Sequence, residues 1–328
     1  MVYDFITLGG ATRDISFFTT EGILVNNYRD ILRQKLLAFE HGAKIKVDKF
    51  FYNFGGGATN AAVNLANFGL KTACVISLGQ DQNGQLIIDN LKNRGVKTKL
   101  VQRNKGVDSG FSFILISASG ERIIFTQRGA NSNLQITNQE LANFKKTKNI
   151  YIASLSGNWL KILQKVFSQV NQRGPRVFWN PGEAQYQMGL KKLAPFLEKT
   201  FVLAINKDEA IELVLSSTKY KKAKRSFLND TRNLLQAIRE FGPQIVMITS
   251  GKSGVDVYDG QKFYHQGIIK EKKRVDTTGV GDVFNSSFAA GLELFSDDIN
   301  QAIKLGLRNT ASMIAQLGAQ NGLIKFKK

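Results

Sequence analysis

Short apolar runs alternate with amphipathic stretches along most of this chain. DFITLGG (4–10) is an apolar run closed by glycines, and NAAVNLANFG (60–69) has helical periodicity and stops at Gly69. TACVISLGQD (72–81) predicts the next strand, and GQLIIDNLKNRG (84–95) a helix ended by Gly95. NIYIAS, PRVFWNPG, TFVLAINKDEA and QIVMITSG are later short runs, each ending in polar or glycine residues, and NLLQAIREFG (233–242) is a helical stretch between two of them. Apolar runs without strict alternation suit strands buried on both faces, and their regular exchange with helices predicts a doubly wound, mostly parallel α/β sheet.

Two segments break this rhythm. Residues 15–53 carry ISFFTT, GILVNN and IKVDKFFYNF without helical periodicity. Residues 107–127 contain FSFILISASGERIIFTQ, which reads as a hairpin turning at SASGE (117–121). Both are β-prone. They predict a small β-sheet lid (15–53 and 107–127) on an α/β domain built from 1–14, 54–106 and 128–328.

Composition narrows the function classes. The 328 residues include one cysteine, which makes no intrachain disulfide, and two histidines, which give a histidine-rich metal site or a histidine-based triad little material to draw on. Cys74 lies in an apolar run and reads as a buried strand thiol. A reducing, cytoplasmic setting fits, with no leader pattern at the N-terminus and no apolar run of membrane-spanning length. The net charge of +19 raises the possibility of a nucleic-acid partner, but the basic residues are scattered. The densest runs, KYKKAKR (219–225) and KEKKR (270–274), are not interleaved with aromatics. They read as a solvated surface rather than a nucleic-acid footprint, and would also favour an anionic substrate.

In an open parallel sheet, ligands bind beyond the carboxyl ends of the strands. The segments there are GGATRD (9–14), FGGGATNAA (54–62), LGQDQNG (78–84), WNPGE (179–183), INKDE (205–209), TSGKSG (249–254) and DTTGVGD (276–282). GKS (251–253) is not a P-loop, because Val246 stands where that motif needs a glycine. GGGATN is not a dinucleotide fingerprint, because Asn60 stands in its last glycine position. In DTTGVGD, the N–H groups of Gly279, Val280 and Gly281 can form a hollow for an anion at a helix N-terminus. Asp282 beside that hollow can act as a general base in phosphoryl transfer. The spacing alone serves equally a helix that merely begins after a glycine turn.

DTTGVGD with its apolar helix resembles the C-terminal signature of the ribokinase-like, or PfkB, family of carbohydrate kinases, and FGGGATNAAVNLANFG resembles the N-terminal one. GGATRD, GQDQNG, RGAN (128–131), NPGE, NKDE and GAQNGL (318–323) match between and around them, so the resemblance spans the chain. It implies an ATP- and Mg²⁺-dependent kinase of a sugar or related polyol on a ribokinase-like fold. By motif, Asp282 corresponds to the catalytic base and Gly279, Val280 and Gly281 to the anion hole. Asp14, Gly56, Gly57 and Asn60 correspond to acceptor-binding residues. Asn206, Thr249, Gly251, Gly254 and Asn309 correspond to nucleotide-binding residues, with Asn309 near adenine. Glu209 corresponds to a residue linked to Mg²⁺ through water, and Asp276 and Thr278 to a monovalent-cation (K⁺) site found in many members. A homodimer through the lid is also implied for some members. Local readings stand beside four of these: Asp14 can be a surface turn residue, Asn60 can cap its helix, Glu209 can be a dipole-favoured acid, and Asn309 an ordinary polar helix residue.

The chain departs from strict ribokinases in three places. Gly57 replaces a lysine, Thr12 an asparagine, and Ser156 stands where a sugar-binding glutamate is usual. The acceptor is therefore open. A nucleoside kinase is the alternative, with Phe17, Phe18, Phe51, Tyr52 and Phe54 available to stack on a base. A sugar-phosphate kinase using Arg128, and a non-catalytic nucleic-acid-binding protein on a kinase fold, stand further off.

Overall fold

A computed structural model describes residues 3–28, 35–117, 122–271 and 273–326. The turn read at SASGE and part of the KEKKR run thus lie outside the described residues, at 118–121 and 272. In chain order the strands are β1 (Phe5–Leu8), β2 (Thr12–Phe18), β3 (Ile23–Asn26), β4 (Lys35–Ala38), β5 (Lys49–Gly55), β6 (Thr72–Val75), β7 (Ser77–Gly79), β8 (Gln102–Asn104), β9 (Phe111–Ile116), β10 (Arg122–Gln127), β11 (Asn149–Ile152), β12 (Arg176–Trp179), β13 (Val202–Asn206), β14 (Ile245–Thr249), β15 (Val255–Tyr258) and β16 (Phe263–Gln266). The helices are α1 (Gly57–Asn67), α2 (Gln82–Asn93), α3 (Asn138–Phe144), α4 (Trp159–Phe167), α5 (Glu183–Tyr186), α6 (Leu190–Leu197), α7 (Lys207–Leu215), α8 (Arg225–Asn229), α9 (Thr231–Arg239), α10 (Val280–Leu294) and α11 (Ile299–Met313).

Eight strands form the main sheet in the order β6-β1-β11-β12-β13-β14-β15-β16. β6 through β14 run parallel, and β15 and β16 close one edge antiparallel. β1, β6 and β11 are buried at every position, as strands covered on both faces must be. Successive residues feed opposite cores. Phe5 and Cys74 pack with α1, α10 and α11, while Ile6 and Leu8 pack with residues of α4, α6 and α9 on the other face. Each such buried side chain contributes about 1.5–3 kcal/mol. Cys74 is fully buried, accepts a hydrogen bond from Thr7 Oγ1 at 3.2 Å, and has its thiol pushed up to about 12 by desolvation. Among the described residues no helix is long and apolar enough to cross a membrane.

From β1 the chain adds β6 on one side and later β11 on the other. The winding reverses at β1, which places the ligand crevice at the carboxyl ends of β1 and β11.

A second sheet, ordered β10-β9-β2-β5, collects strands from both β-prone segments. It runs past the boundaries drawn from the sequence, starting at Thr12 and reaching Gly55. Residues directly opposite one another share a face. Asp14 faces Asn53 and Ser112, and Arg122 stands opposite Ile116, which stands opposite Phe18. Asp14, Asn53, Ser112, Phe18 and Arg122 therefore lie on one side of this sheet. Tyr52, Phe113 and Phe125 lie on the other and are largely exposed.

Candidate active site

Four elements meet at the crevice: the loop after β1, the N-terminus of α1, the end of β11 and the N-terminus of α10. Their closeness is set by glycine. Gly56 has φ +93°, and a Cβ there would come within 2.4 Å of Gly10 O. At Gly57 a Cβ would lie 2.9 Å from Ala153 Cβ and 3.3 Å from Asp282 Oδ1. Gly279 is left-handed, with φ +75°, and its absent Cβ would meet Ala319 Cβ at 2.3 Å. Only residues without side chains let these backbones approach so closely.

Gly279 ends the loop, and α10 begins at Val280. The first-turn N–H groups of the helix have no helical carbonyl to bond, and that of Val280 makes only a 3.4 Å contact with Thr277 O. They carry the positive end of the helix dipole. Asp282 is the third helical residue, and its side chain does not cap the helix. Instead Asn60 Nδ2 donates to Asp282 Oδ2 at 2.8 Å. Asn60 lies inside α1 rather than capping it, and its own amide is oriented by Gln320 Nε2, which donates to Asn60 Oδ1 at 3.0 Å. Asn90 Nδ2 in turn donates to Gln320 Oε1 at 2.8 Å. Gln320 and Asn90 were not found by motif. The only sequence signal is that Gln320 lies in GAQNGL.

Asp14 approaches from the small sheet. Burial raises its carboxyl above the usual range, against hydrogen bonds from Thr12 and Ser112 and the charge of Arg13, with nearby Asp276 adding to the rise. Its Oδ1 is buried and has no partner. Burial also raises the carboxyl of Asp282, opposed by the Asn60 hydrogen bond and helped by Asp14. Tyr151 on β11 has a buried, unpartnered hydroxyl, raised well above its ordinary value by desolvation and then by the charge of Asp282.

These shifts give a stability prediction with a definite sign. A carboxyl raised on folding holds its proton in the native state where the unfolded chain has lost it, so stability falls as pH rises through the folded value. Asp282→Asn and Asp14→Asn are each expected to melt above wild type near neutral pH. The gain should vanish as pH falls below the ordinary carboxylate value of 3.8. Thermal melts across pH test this, and variants melting below wild type at neutral pH would refute it.

A cavity of about 260 Å³ adjoins the α10 N-terminus. Thr249, Gly251, Gly254, Thr277, Val280 and Gly281 line its mouth, and Phe284, Leu307 and Ile314 supply an apolar wall. The neighbouring open groove is lined by Asn206, Thr249, Ser250 and Gly251, with Asn206 and Thr249 in register on adjacent strands. Asn206 and Glu209 form a capping box on α7: Glu209 Oε2 accepts from Asn206 N and Asn206 Oδ1 from Glu209 N, both at 2.9 Å. Burial raises the Glu209 carboxyl, although the Asn206 backbone bond opposes it.

Asn309 does not line this cavity. It is fully buried, donates to Asn64 Oδ1 at 2.6 Å and Ser287 Oγ at 2.9 Å, and accepts from Ile324 N at 2.8 Å. Asn64 also donates to Ser286 Oγ and Ser287 Oγ, so Asn309 belongs to a polar knot joining α1, α10 and α11. Asp276 and Thr278 come together as expected, but Arg122 of β10 sits on both.

Comparisons with known proteins identify the family and the fold. The profile of the pfkB family carbohydrate kinases matches residues 24–325. An uncharacterized sugar kinase of Archaeoglobus fulgidus is 27% identical over 262 residues, covering 80% of this chain and 98% of the relative. The structure of Arabidopsis thaliana ribokinase complexed with ribose and ATP superposes with a TM-score of 0.79 at 19% identity, over 99% of this chain and 96% of that one. The nucleoside kinase of Burkholderia thailandensis in complex with inosine gives 0.74 at 19%, over 97% and 94%. Its sheet topology, glycine-bound crevice and family match make this chain a phosphotransferase with the ribokinase fold, and it belongs to the pfkB family of carbohydrate kinases.

Proposed function

We propose that the protein transfers the γ-phosphoryl group of ATP to a hydroxyl of a sugar or related small polyol. The observation that carries this reading is the pair of carboxyls facing one crevice, the buried Asp14 with an unpartnered oxygen and the partly buried Asp282 in the first turn of α10. A buried oxygen without a partner is a place for a donor, and a sugar hydroxyl is one. Asp14 orients the acceptor, and Asp282 takes the proton from the hydroxyl as its oxygen bonds to the γ-phosphorus. The bond from that phosphorus to the β,γ-bridging oxygen breaks, and ADP leaves. The N–H groups at Gly279, Val280 and Gly281 stabilise the charge spread over the transferring group. The small sheet covers the crevice and excludes water.

The nucleotide fits the cavity between Gly251, Gly254 and α10. Among the described residues no group of three or more histidine, cysteine, aspartate or glutamate side chains could hold a metal. One capping carboxylate with a free oxygen, Glu209, and the exposed Asn206 suit Mg²⁺ that arrives with the phosphates and keeps most of its waters. Held there, Mg²⁺ would supply positive charge to the phosphates.

A nucleoside acceptor is the second reading. Of the aromatics named from the sequence, Phe18 and Phe51 lie on Asp14's side of the small sheet, with ring centroids 6.0 Å apart. Tyr52 and Phe54 lie on the opposite side, beneath the Arg13 guanidinium. A panel of sugars, sugar phosphates and nucleosides, assayed with ATP and Mg²⁺ for ADP release, separates the readings. Release with a free sugar supports the proposal, and release with nucleosides alone transfers it to the second reading. Measurable ATP binding without release for any acceptor would overturn both.

A further inference from the structure

Asp276 precedes the glycine hollow, and its carboxylate side chain is only 7% exposed. Its Oδ1 accepts from Thr278 N at 2.8 Å and its Oδ2 from Gly318 N at 2.9 Å. These bonds hold the carboxylate but do not neutralise it. The neutralising charge comes from the other sheet. Arg122 Nη1 lies 3.2 Å from Asp276 Oδ1 and also donates to Thr278 Oγ1.

The carboxylate and hydroxyl that family resemblance offers to a monovalent cation are therefore both occupied by a guanidinium. A potassium-sized ion needs several oxygen ligands and a local excess of negative charge. Here the oxygens are spent, and a second positive charge would face the first. Arginine suits the position better than lysine, because its planar, permanently charged group serves two acceptors at once. We propose that Arg122 is a tethered cation that replaces a monovalent metal ion at Asp276 and Thr278, so that the site has no K⁺ requirement.

The consequence is mechanical as well as chemical. Asp276 and Thr278 lead directly into Gly279, so the guanidinium steadies the loop that forms the hollow. Arg122 stands on β10 of the small sheet, on the side that carries Asp14. Charge balance at this loop is therefore supplied by the docked sheet rather than by the solvent's salt. Arg122 is a positioning residue, not a catalytic one. Its catalytic consequence rests on the kinase reading above, whereas cation binding can be measured without turnover.

The test compares KCl with tetramethylammonium chloride at equal ionic strength. Thermal melts and calorimetric ATP binding are recorded for wild type, Arg122→Ala and Arg122→Lys. Wild type should show the same melting temperature and ATP affinity in both salts. Arg122→Ala should bind ATP several-fold more weakly in tetramethylammonium and recover at least part of that loss in KCl. Arg122→Lys should show a smaller loss. A K⁺-specific rise in wild-type melting temperature or affinity would overturn the proposal, as would an Arg122→Ala protein indistinguishable from wild type in both salts. Should Arg122→Ala fail to fold, wild-type crystals soaked in a thallous salt decide: anomalous density at Asp276 refutes the replacement, and its absence there supports it. Absence of kinase turnover would overturn the proposed function but leave these binding outcomes readable.

Discussion

Asp282→Asn is expected to lower kcat by about two to four orders of magnitude, the share general-base catalysis supplies. ATP affinity should stay within about a factor of two, because uniform binding is not what the side chain contributes. The substitution preserves shape, and the new amide oxygen can still accept from Asn60 Nδ2, which now sits 2.8 Å from the carboxylate. What it removes is the capacity to hold a proton. The first-turn N–H groups of α10 remain, so a residual rate above the uncatalysed one should persist. Since burial raises the Asp282 carboxyl, the acidic limb of the wild-type rate profile should lie above the ordinary carboxylate range. That limb should disappear in the variant. Steady-state ADP release with the acceptor found by the panel, together with calorimetry for ATP, measures both quantities. A variant retaining more than a tenth of wild-type kcat would remove Asp282 from the role of base.

Gly56→Ala should strongly destabilise the fold near the site. The left-handed backbone at φ +93° costs about 1–3 kcal/mol with any side chain. A methyl group 2.4 Å from Gly10 O and 2.5 Å from Ala11 Cα adds roughly 1–3 kcal/mol, because both neighbours are backbone and cannot rotate away. Together these predict a fall in melting temperature on the order of 3–9 °C in a chain of this size. Gly69→Ala is the control. Its φ is +80°, but nothing lies within 4 Å of the added methyl, so only the left-handed strain of about 1–2 kcal/mol remains. Equal melting temperatures for the two variants would show that the close approach of α1 to the loop after β1 carries no energy.

The parallel strands were legible because strands covered on both faces must be apolar throughout, as β1, β6 and β11 are. The antiparallel edge was not. Phe263–Gln266 is only half covered and reads FYHQ, with no apolar run to mark it. β3 falls within the β-prone 15–53, but its pairing with β4 alone was not legible, because ILVN is exposed throughout and no burial pattern assigns it to a sheet. The residues of the two signatures were found because each occupies a contiguous glycine loop. Asn309 lies away from the cavity wall for a reason of helical phase. Leu307, Thr310, Ala311 and Ile314 repeat at the spacing of one helix face and line the cavity, and Asn309 falls on the neighbouring face, where it is buried. Gln320 and Arg122 act across 260 and 154 positions of sequence, and no local pattern announces such partners.

The polar knot of Asn64, Ser286, Ser287 and Asn309 bears on how members of such a fold can be recombined. Its bonds are directional and buried, so sliding α1 against α10 by one turn would strand several donors and acceptors without water. α1 carries Asn60 and α10 carries Asp282, so the knot sets the register between them. Chimeras with a distant parent should therefore exchange these helices, with α11, as one inherited block. The strands of the small sheet share none of these bonds, so apart from Asp14 and Arg122 they are the segments where sequence can drift and new acceptors can be selected.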